Sequence, residues 1–368
     1  MEGISKMNIA QLDKNFLVEN KLKENAKFYD VREEPFKVYG LYDIKPGAEF
    51  KRMDSEVAET ISAGVFGLHK NTSGGRIRFK TDSDYIALFV KQSSYCDMAH
   101  MTAIGKAGFD MYVRENGVYR YQTSFPPSSD SCSYNAENIK KKGSYTSVRT
   151  FFSKKMRDIT LNMPLYSGVD EMYVILSDDA IVEKAPEYTY TSPIVYYGSS
   201  ITQGGCASRP GMSYANIISR ALDADFINLG FSGNAKGEPE MAHYIANLNM
   251  SVFVYDYDYN APDEEHLRNT HEQFFKIIRE KQPELPVIMV SKPKKYLTEA
   301  EIRRKHIIFD TYRNAFEGGD KNVYFIDGSE MFGCNGGEEF TVDGAHPTDL
   351  GFFKMAEVIG QKVKEVIK

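Results

Sequence analysis

Apolar residues recur along this chain in two different rhythms. From about Lys27 to Ala185 they fall in short runs between turns. "RIRFK" and "YIALFV" are bounded by Gly- and Asp/Ser-rich segments, and "FDMYVRENGVYRYQ" carries Asn116-Gly117 between two alternating runs. Asn-Gly supplies the positive φ angles of a two-residue turn, so this stretch predicts a β-hairpin. "DITLNMPLYSGVDEMYVILS" adds two strands, and "FPPSSDSCSYNAENIKKKGS", Phe125 to Ser144, reads as a long polar loop. Repeated short strands with few helical periods predict an antiparallel, jelly-roll-like β-sandwich.

After "EKAPEYTYTSP" strands and helices alternate. "IVYYG" precedes a helix over about Ser213 to Leu222, where Tyr214, Ile217, Ile218, Ala221 and Leu222 form an i, i+3, i+4, i+7, i+8 stripe. "DFINLGF" comes next, then a short helix near Met241 to Leu248 and the strand "SVFVYDY". A helix from about Asp263 to Lys281 stops before Pro283, and "PVIMVS" follows. The capping box Thr298-x-x-Glu301 opens another helix, which ends at Gly318-Gly319. "VYFID" and a last helix from about Thr348 complete the series. Near-continuous apolar strands in such alternation predict a parallel sheet covered on both faces. The expected architecture is thus α/β: a three-layer α/β/α domain of flavodoxin-like strand order over 192–368, preceded by the sandwich over 27–185 and an N-terminal extension over 1–26.

Composition narrows the function classes. The chain has 368 residues, a formal net charge of -6 and dispersed Lys and Arg, so nucleic acid is not expected as a partner. The first twenty residues lack the apolar stretch of a signal peptide, and no run is long enough to span a membrane. Cys96, Cys132, Cys206 and Cys334 have neither metal-ligand spacing nor the density of a disulfide framework, so free thiols and a cytoplasmic location are expected. Tyr and Phe are abundant, 24 and 23, and most are expected in the core.

Ligands of an open parallel sheet bind at the carboxyl ends of its strands. Four stretches there carry chemistry. In "IVYYGSSITQGG", Ile194 to Gly205, a buried strand delivers hydroxyls between glycines. Ser200 is the candidate nucleophile and its own N–H a candidate oxyanion donor; alternatively Ser199 or Ser200 only caps the next helix. In "NLGFSG", Gly233 could bring a backbone N–H close to a ligand because no Cβ blocks it. In "YDYDYN", Asn260 could donate its amide, while Tyr255, Tyr257 and Tyr259 alternate and are expected to pack on one strand face. In "TVDGAHP", His346 is the candidate base and Asp343 the group that fixes its tautomer. The other six histidines are expected in surface or core roles.

These four blocks resemble those of the SGNH (GDSL-type) hydrolase superfamily. Ser, Gly, Asn and His fall on Ser200, Gly233, Asn260 and His346, and Asp343 matches the family's triad acid. Ser199 stands where the family's Gly-Asp-Ser has Asp, and the Gly-x-Asn-Asp block is absent, so Asn260 is assigned by position. No GxSxG elbow precedes the serine. The resemblance implies metal-free ester hydrolysis through an acyl-enzyme, with no cofactor and an oxyanion hole from the Ser200 and Gly233 amides plus Asn260. A sandwich before such a domain resembles two-domain bacterial carbohydrate acetyl esterases, and "VYGLYD", Val38 to Asp43, is similar to the entry segment of their N-terminal domains. The implied substrate is an acetylated manno- or xylo-oligosaccharide. The rivals are an esterase or lysophospholipase for longer acyl chains and an inert carbohydrate-binding protein. The sandwich could also build a homo-oligomer.

Overall fold

The computed structural model describes residues 22, 24–94, 96–127, 144–332 and 337–368. Most of the N-terminal extension, most of the polar loop, Cys132 and Cys334 lie outside these residues. Cys96 and Cys206 are free thiols.

Among the described residues, the first half forms ten strands: β1 (Ala26–Asp30), β2 (Lys37–Tyr39), β3 (Arg76–Thr81), β4 (Tyr85–Lys91), β5 (Phe109–Glu115), β6 (Val118–Phe125), β7 (Ser144–Thr150), β8 (Arg157–Asn162), β9 (Glu171–Ser177) and β10 (Val182–Glu183). They make two antiparallel sheets, β1-β9-β4-β7 and β10-β3-β8-β5-β6, with β2 paired to β3. Period-two alternation aims Ile86, Leu88 and Val90 of β4 into one core with Ile77 and Phe79 of β3 and Ile159 and Leu161 of β8. The Asn116-Gly117 turn joins β5 to β6, both residues at positive φ.

The second half is a parallel sheet of β11 (Tyr190–Gly198), β12 (Ala224–Gly230), β13 (Val252–Asp256), β14 (Val287–Val290) and β15 (Val323–Ile326), in the order β12-β11-β13-β14-β15. This is the flavodoxin-like order expected from the alternation. Val195 and Tyr197 of β11 face a cluster with Met241, Leu267, Phe274 and Ile308. Ile194 and Tyr196 face the opposite cluster, with Tyr214, Ile218, Phe352 and Met355. The helices Pro239–Ala246, Glu264–Lys281 and Glu299–Glu317 thus cover one face, and Tyr214–Leu222 and Asp349–Val366 the other. The Thr298–Glu301 capping box forms in both directions.

Three local readings change. β11 begins at Tyr190, inside the expected linker, with a register shift before Ile194; Pro193 sits in that irregularity, where a residue without an N–H can be accommodated. The helices Ser55–Ile61 and Ala63–Leu68 give no sequence period because they are only 7 and 6 residues long. Helices this short depend on packing: Ala58, Ile61 and Val65 enter the core of the second half's sheet. Tyr255 and Tyr257 pack together, but β13 ends at Asp256 and the turn carries Tyr259 to the opposite cluster.

Buried arginines join the two halves. Arg52 donates to the carbonyls of Asn228 and Gly230 and lies over the Phe231 ring. Arg76 pairs with Asp225 and covers Phe226. Asp223 accepts from Arg114 and Tyr119. No helix among the described residues is long and apolar enough to cross a membrane.

Candidate active site

The register of the parallel sheet places three loops side by side. Gly198, the last residue of β11, is level with Gly230 of β12 and with Asp256 of β13. Gly198 has to be glycine for space: a Cβ there would stand 2.2 Å from Thr202 Oγ1 and 2.4 Å from the Asp256 carbonyl oxygen. The chain then turns into a four-residue helix, Ser200–Gln203.

The question of which serine caps this helix has a clear answer. Ser199 Oγ accepts from the Ile201 N–H at 3.2 Å and serves as the N-cap. Ser200 is released from that duty, and its Oγ lies 2.9 Å from His346 Nε2. His346 lies in the loop that precedes the last helix, Asp349–Val366. Asp343 Oδ2 lies 2.8 Å from His346 Nδ1, so Nδ1 carries the proton and Nε2 presents its lone pair to Ser200. Asp343 Oδ1 accepts from the N–H groups of Ala345 and His346 at 3.1 and 2.8 Å. Partial burial pushes the Asp343 carboxyl up, but these hydrogen bonds from His346 and Ala345 outweigh it and hold the group at about 2.

Gly233 and Asn260 lie in the loops that follow β12 and β13, the two strands flanking β11. Gly233 is exposed and has φ +70°, with open space where a Cβ would point. Its backbone conformation, rather than crowding, is what favours glycine there. Asn260 Oδ1 accepts from the Ala235 N–H at 3.4 Å, which turns the amide NH₂ the other way. Among the described residues, the N–H groups of Ser200 and Gly233 donate to no protein acceptor.

Several supporting residues escaped the sequence reading. Gln203, fully buried, donates to the Leu165 carbonyl and accepts from the Ser232 N–H at 2.9 Å, tying the first half to the Gly233 loop. Tyr166 donates its hydroxyl to the Ser200 carbonyl at 3.2 Å, and Ser73 donates to the Gln203 carbonyl. Thr202 and Tyr214 both donate to Asp256 Oδ2. Burial pushes the Asp256 carboxyl up to about 7, helped by the charge of Asp258 and opposed by those two hydroxyls. Gln203 was visible in "SSITQGG", but a lone glutamine carries no motif. His100, expected in a surface or core role, lies with its ring centroid 5.7 Å from that of His346. Cys206, at φ +76°, is buried beside them, and burial together with the Asp343 charge pushes its thiol up to about 12, so it stays protonated. A cavity of about 380 Å³ opens on the acid's side, lined by Lys294, Tyr296, Val342 and Asp343 among others.

Residues 191–364 match the GDSL-like lipase/acylhydrolase family, and residues 26–182 match the N-terminus of SGNH-hydrolase-type esterases. No curated protein matches the chain. Among solved structures, the chain is similar to a protein described as a GDSL-like lipase from Bacteroides ovatus, with 26% identity and a TM-score of 0.82 over 94% of this chain and 99% of that one. The salicylyl-acyltransferase of a tetracycline biosynthetic pathway gives 19% identity and a TM-score of 0.74 over 94% and 100%. A family two carbohydrate esterase from Cellvibrio japonicus gives 12% identity and 0.60 over 93% and 98%. The last two share the fold. With both of its halves matched and the four blocks gathered at one sheet edge, the chain belongs to the SGNH, or GDSL-like, hydrolases.

Proposed function

We propose that this protein is a carbohydrate O-acetyl esterase that works through an acyl-enzyme on Ser200. The observation that carries the reading is the continuous relay Ser200 Oγ, His346 Nε2, His346 Nδ1, Asp343 Oδ2, with contacts of 2.9 and 2.8 Å. His346 takes the Ser200 proton as Oγ attacks the acetyl carbonyl. The oxyanion forms toward the N–H groups of Ser200 and Gly233 and the Asn260 amide, the donors left free of protein acceptors among the described residues. His346 then returns the proton to the departing sugar hydroxyl, and water activated by the same imidazole releases acetate. Asp343, held ionised down to about pH 2, stabilises the imidazolium throughout.

The substrate class rests on likeness to the carbohydrate esterase of Cellvibrio japonicus in both halves of the chain. On this reading residues 27–185 form a jelly-roll-like accessory domain that presents an acetylated manno- or xylo-oligosaccharide to residues 192–368, within the cytoplasm. The cavity beside Asp343, lined in part by Phe332 and Val342, favours a second reading, an esterase for longer acyl chains.

The test compares the parent protein with Ser200→Ala on acetylated manno- and xylo-oligosaccharides and on esters of increasing acyl length. Acetate release by the parent, lost in the variant, is the expected result. Preference for long acyl esters replaces the carbohydrate reading with the second one. Equal behaviour of parent and variant on every ester removes the nucleophile.

A further inference from the structure

We propose that His100, Cys206 and His346 form a zinc-binding site that reversibly switches this hydrolase off; the inhibitory part rests on the Ser200–His346 reading above. The three residues come from separate places in the chain: a loop of the first half, the turn after the nucleophile helix, and the loop before the last helix. One donor atom from each lies within 4.8 Å of the others. Two imidazoles and a thiolate are the borderline-soft set that suits Zn²⁺, and three protein ligands leave a fourth, open position. With Zn–N near 2.0 Å and Zn–S near 2.3 Å, tetrahedral donors stand roughly 3.3–3.6 Å apart, so the site closes by about 1 Å. His100 is exposed, so its side chain is the one expected to make that movement, whereas Cys206 is buried and the His346 N–H is tied to Asp343.

The same pairing that prepares His346 as a base prepares it as a ligand. Its Nδ1 is committed to Asp343, so Nε2 offers the lone pair. A carboxylate behind a histidine is the usual outer partner of a zinc-bound imidazole, fixing its tautomer and raising its basicity. The Asp343 charge also attracts the cation. Zn²⁺ bound at Nε2 takes the electron pair that Ser200 Oγ needs for its proton, so hydrolysis stops. Binding displaces the thiol proton of Cys206 to solvent, and a chelator reverses it.

The experiment uses the full chain, freed of metal by a chelator, with Zn²⁺ as inhibitor and Co²⁺ as a spectroscopic probe. Cys206→Ser and His100→Ala are compared with the parent. Zinc is expected to abolish ester hydrolysis reversibly in the parent. Each variant should hydrolyse ester without zinc and require at least tenfold more zinc for inhibition. Co²⁺ should give a thiolate charge-transfer band in the parent that Cys206→Ser lacks. An active parent with unchanged activity in excess zinc and no cobalt band overturns the zinc site and leaves the esterase reading standing. A cobalt band dependent on Cys206 in a parent inactive on every ester supports the metal site and removes the esterase. Equal zinc sensitivity of parent and both variants assigns inhibition elsewhere and overturns the proposal.

Discussion

Ser200 and His346 meet at 2.9 Å from loops built in opposite ways. The nucleophile loop is buried and held from all sides by distant parts of the chain. Ser200 itself is 8% exposed. Its carbonyl accepts from Tyr166, the following Gln203 reaches Leu165 and Ser232, and Thr202 donates to Asp256. The base loop is open and largely self-supporting: the side chains of His346 and Asp343 are 24% and 39% exposed. Asp343 accepts two N–H groups of its own loop, Thr341 Oγ1 accepts from Gly344 N–H, and Val342 N–H donates to the His346 carbonyl. On the proposed mechanism the serine must be fixed, because its Oγ attacks the acyl carbon while its N–H donates to the carbonyl oxygen, and small displacements are costly there. On the same mechanism the imidazole must serve serine, leaving group and water in turn, which suits a solvated, locally braced loop.

The comparison is broken most directly at the two chemical groups. Ser200→Ala should lower kcat by about 10³-fold or more, and Asp343→Asn by about 10²–10⁴-fold, with both proteins melting close to the parent. A steady-state rate beside a melting curve checks this; an Asp343→Asn protein with full activity would mean that the local braces alone orient His346. Asn260→Ala, which on the proposed mechanism removes one oxyanion donor, should cost about 10²-fold in kcat with KM little changed.

Gln203→Ala sharpens the contrast. It leaves the buried Leu165 carbonyl and the Ser232 N–H without their partner, so stability should fall by about 1–3 kcal/mol in denaturant unfolding, together with activity. Thr341→Val removes two exposed hydrogen bonds of the base loop, the one accepted from Gly344 N–H and the one donated to the Glu338 carbonyl, and should change stability by less than about 0.5 kcal/mol. Equal losses in the two variants would erase the distinction between the loops.

The smallest effect concerns pH. Burial lifts the Asp256 carboxyl to about 7, above its ordinary unfolded value near 3.9. Between these values the native state keeps a proton that the unfolded chain has lost, so this group's contribution to stability declines as pH rises through the window. Asp256→Asn keeps an acceptor for Thr202 and Tyr214 without the titration. Its unfolding free energy, measured from pH 5 to 8, should fall less with rising pH than the parent's. An identical slope would mean that Asp256 titrates at its unfolded value.

The sequence by itself determined the elements whose signals are local. Period-two and period-3.6 runs marked the hairpin at Asn116-Gly117, the strands and long helices of the parallel sheet, and the Thr298–Glu301 capping box, because each rests on residues within a turn or two of one another. The strand alternation also put the Ser200, Gly233, Asn260 and His346 loops at one sheet edge, since a parallel sheet aligns the carboxyl ends of its strands. Only the tertiary structure decided what depends on residues far apart in the chain. It chose Ser199 as the cap and left Ser200 to His346, folded the helices at 55–61 and 63–68 into the second half's core, and sent Tyr259 to the opposite face from Tyr257. It also brought Tyr166, Gln203, His100 and Cys206 to the site, where burial, close packing and hydrogen bonds across more than thirty positions of chain, as from Tyr166 to Ser200, leave no periodic trace in the sequence.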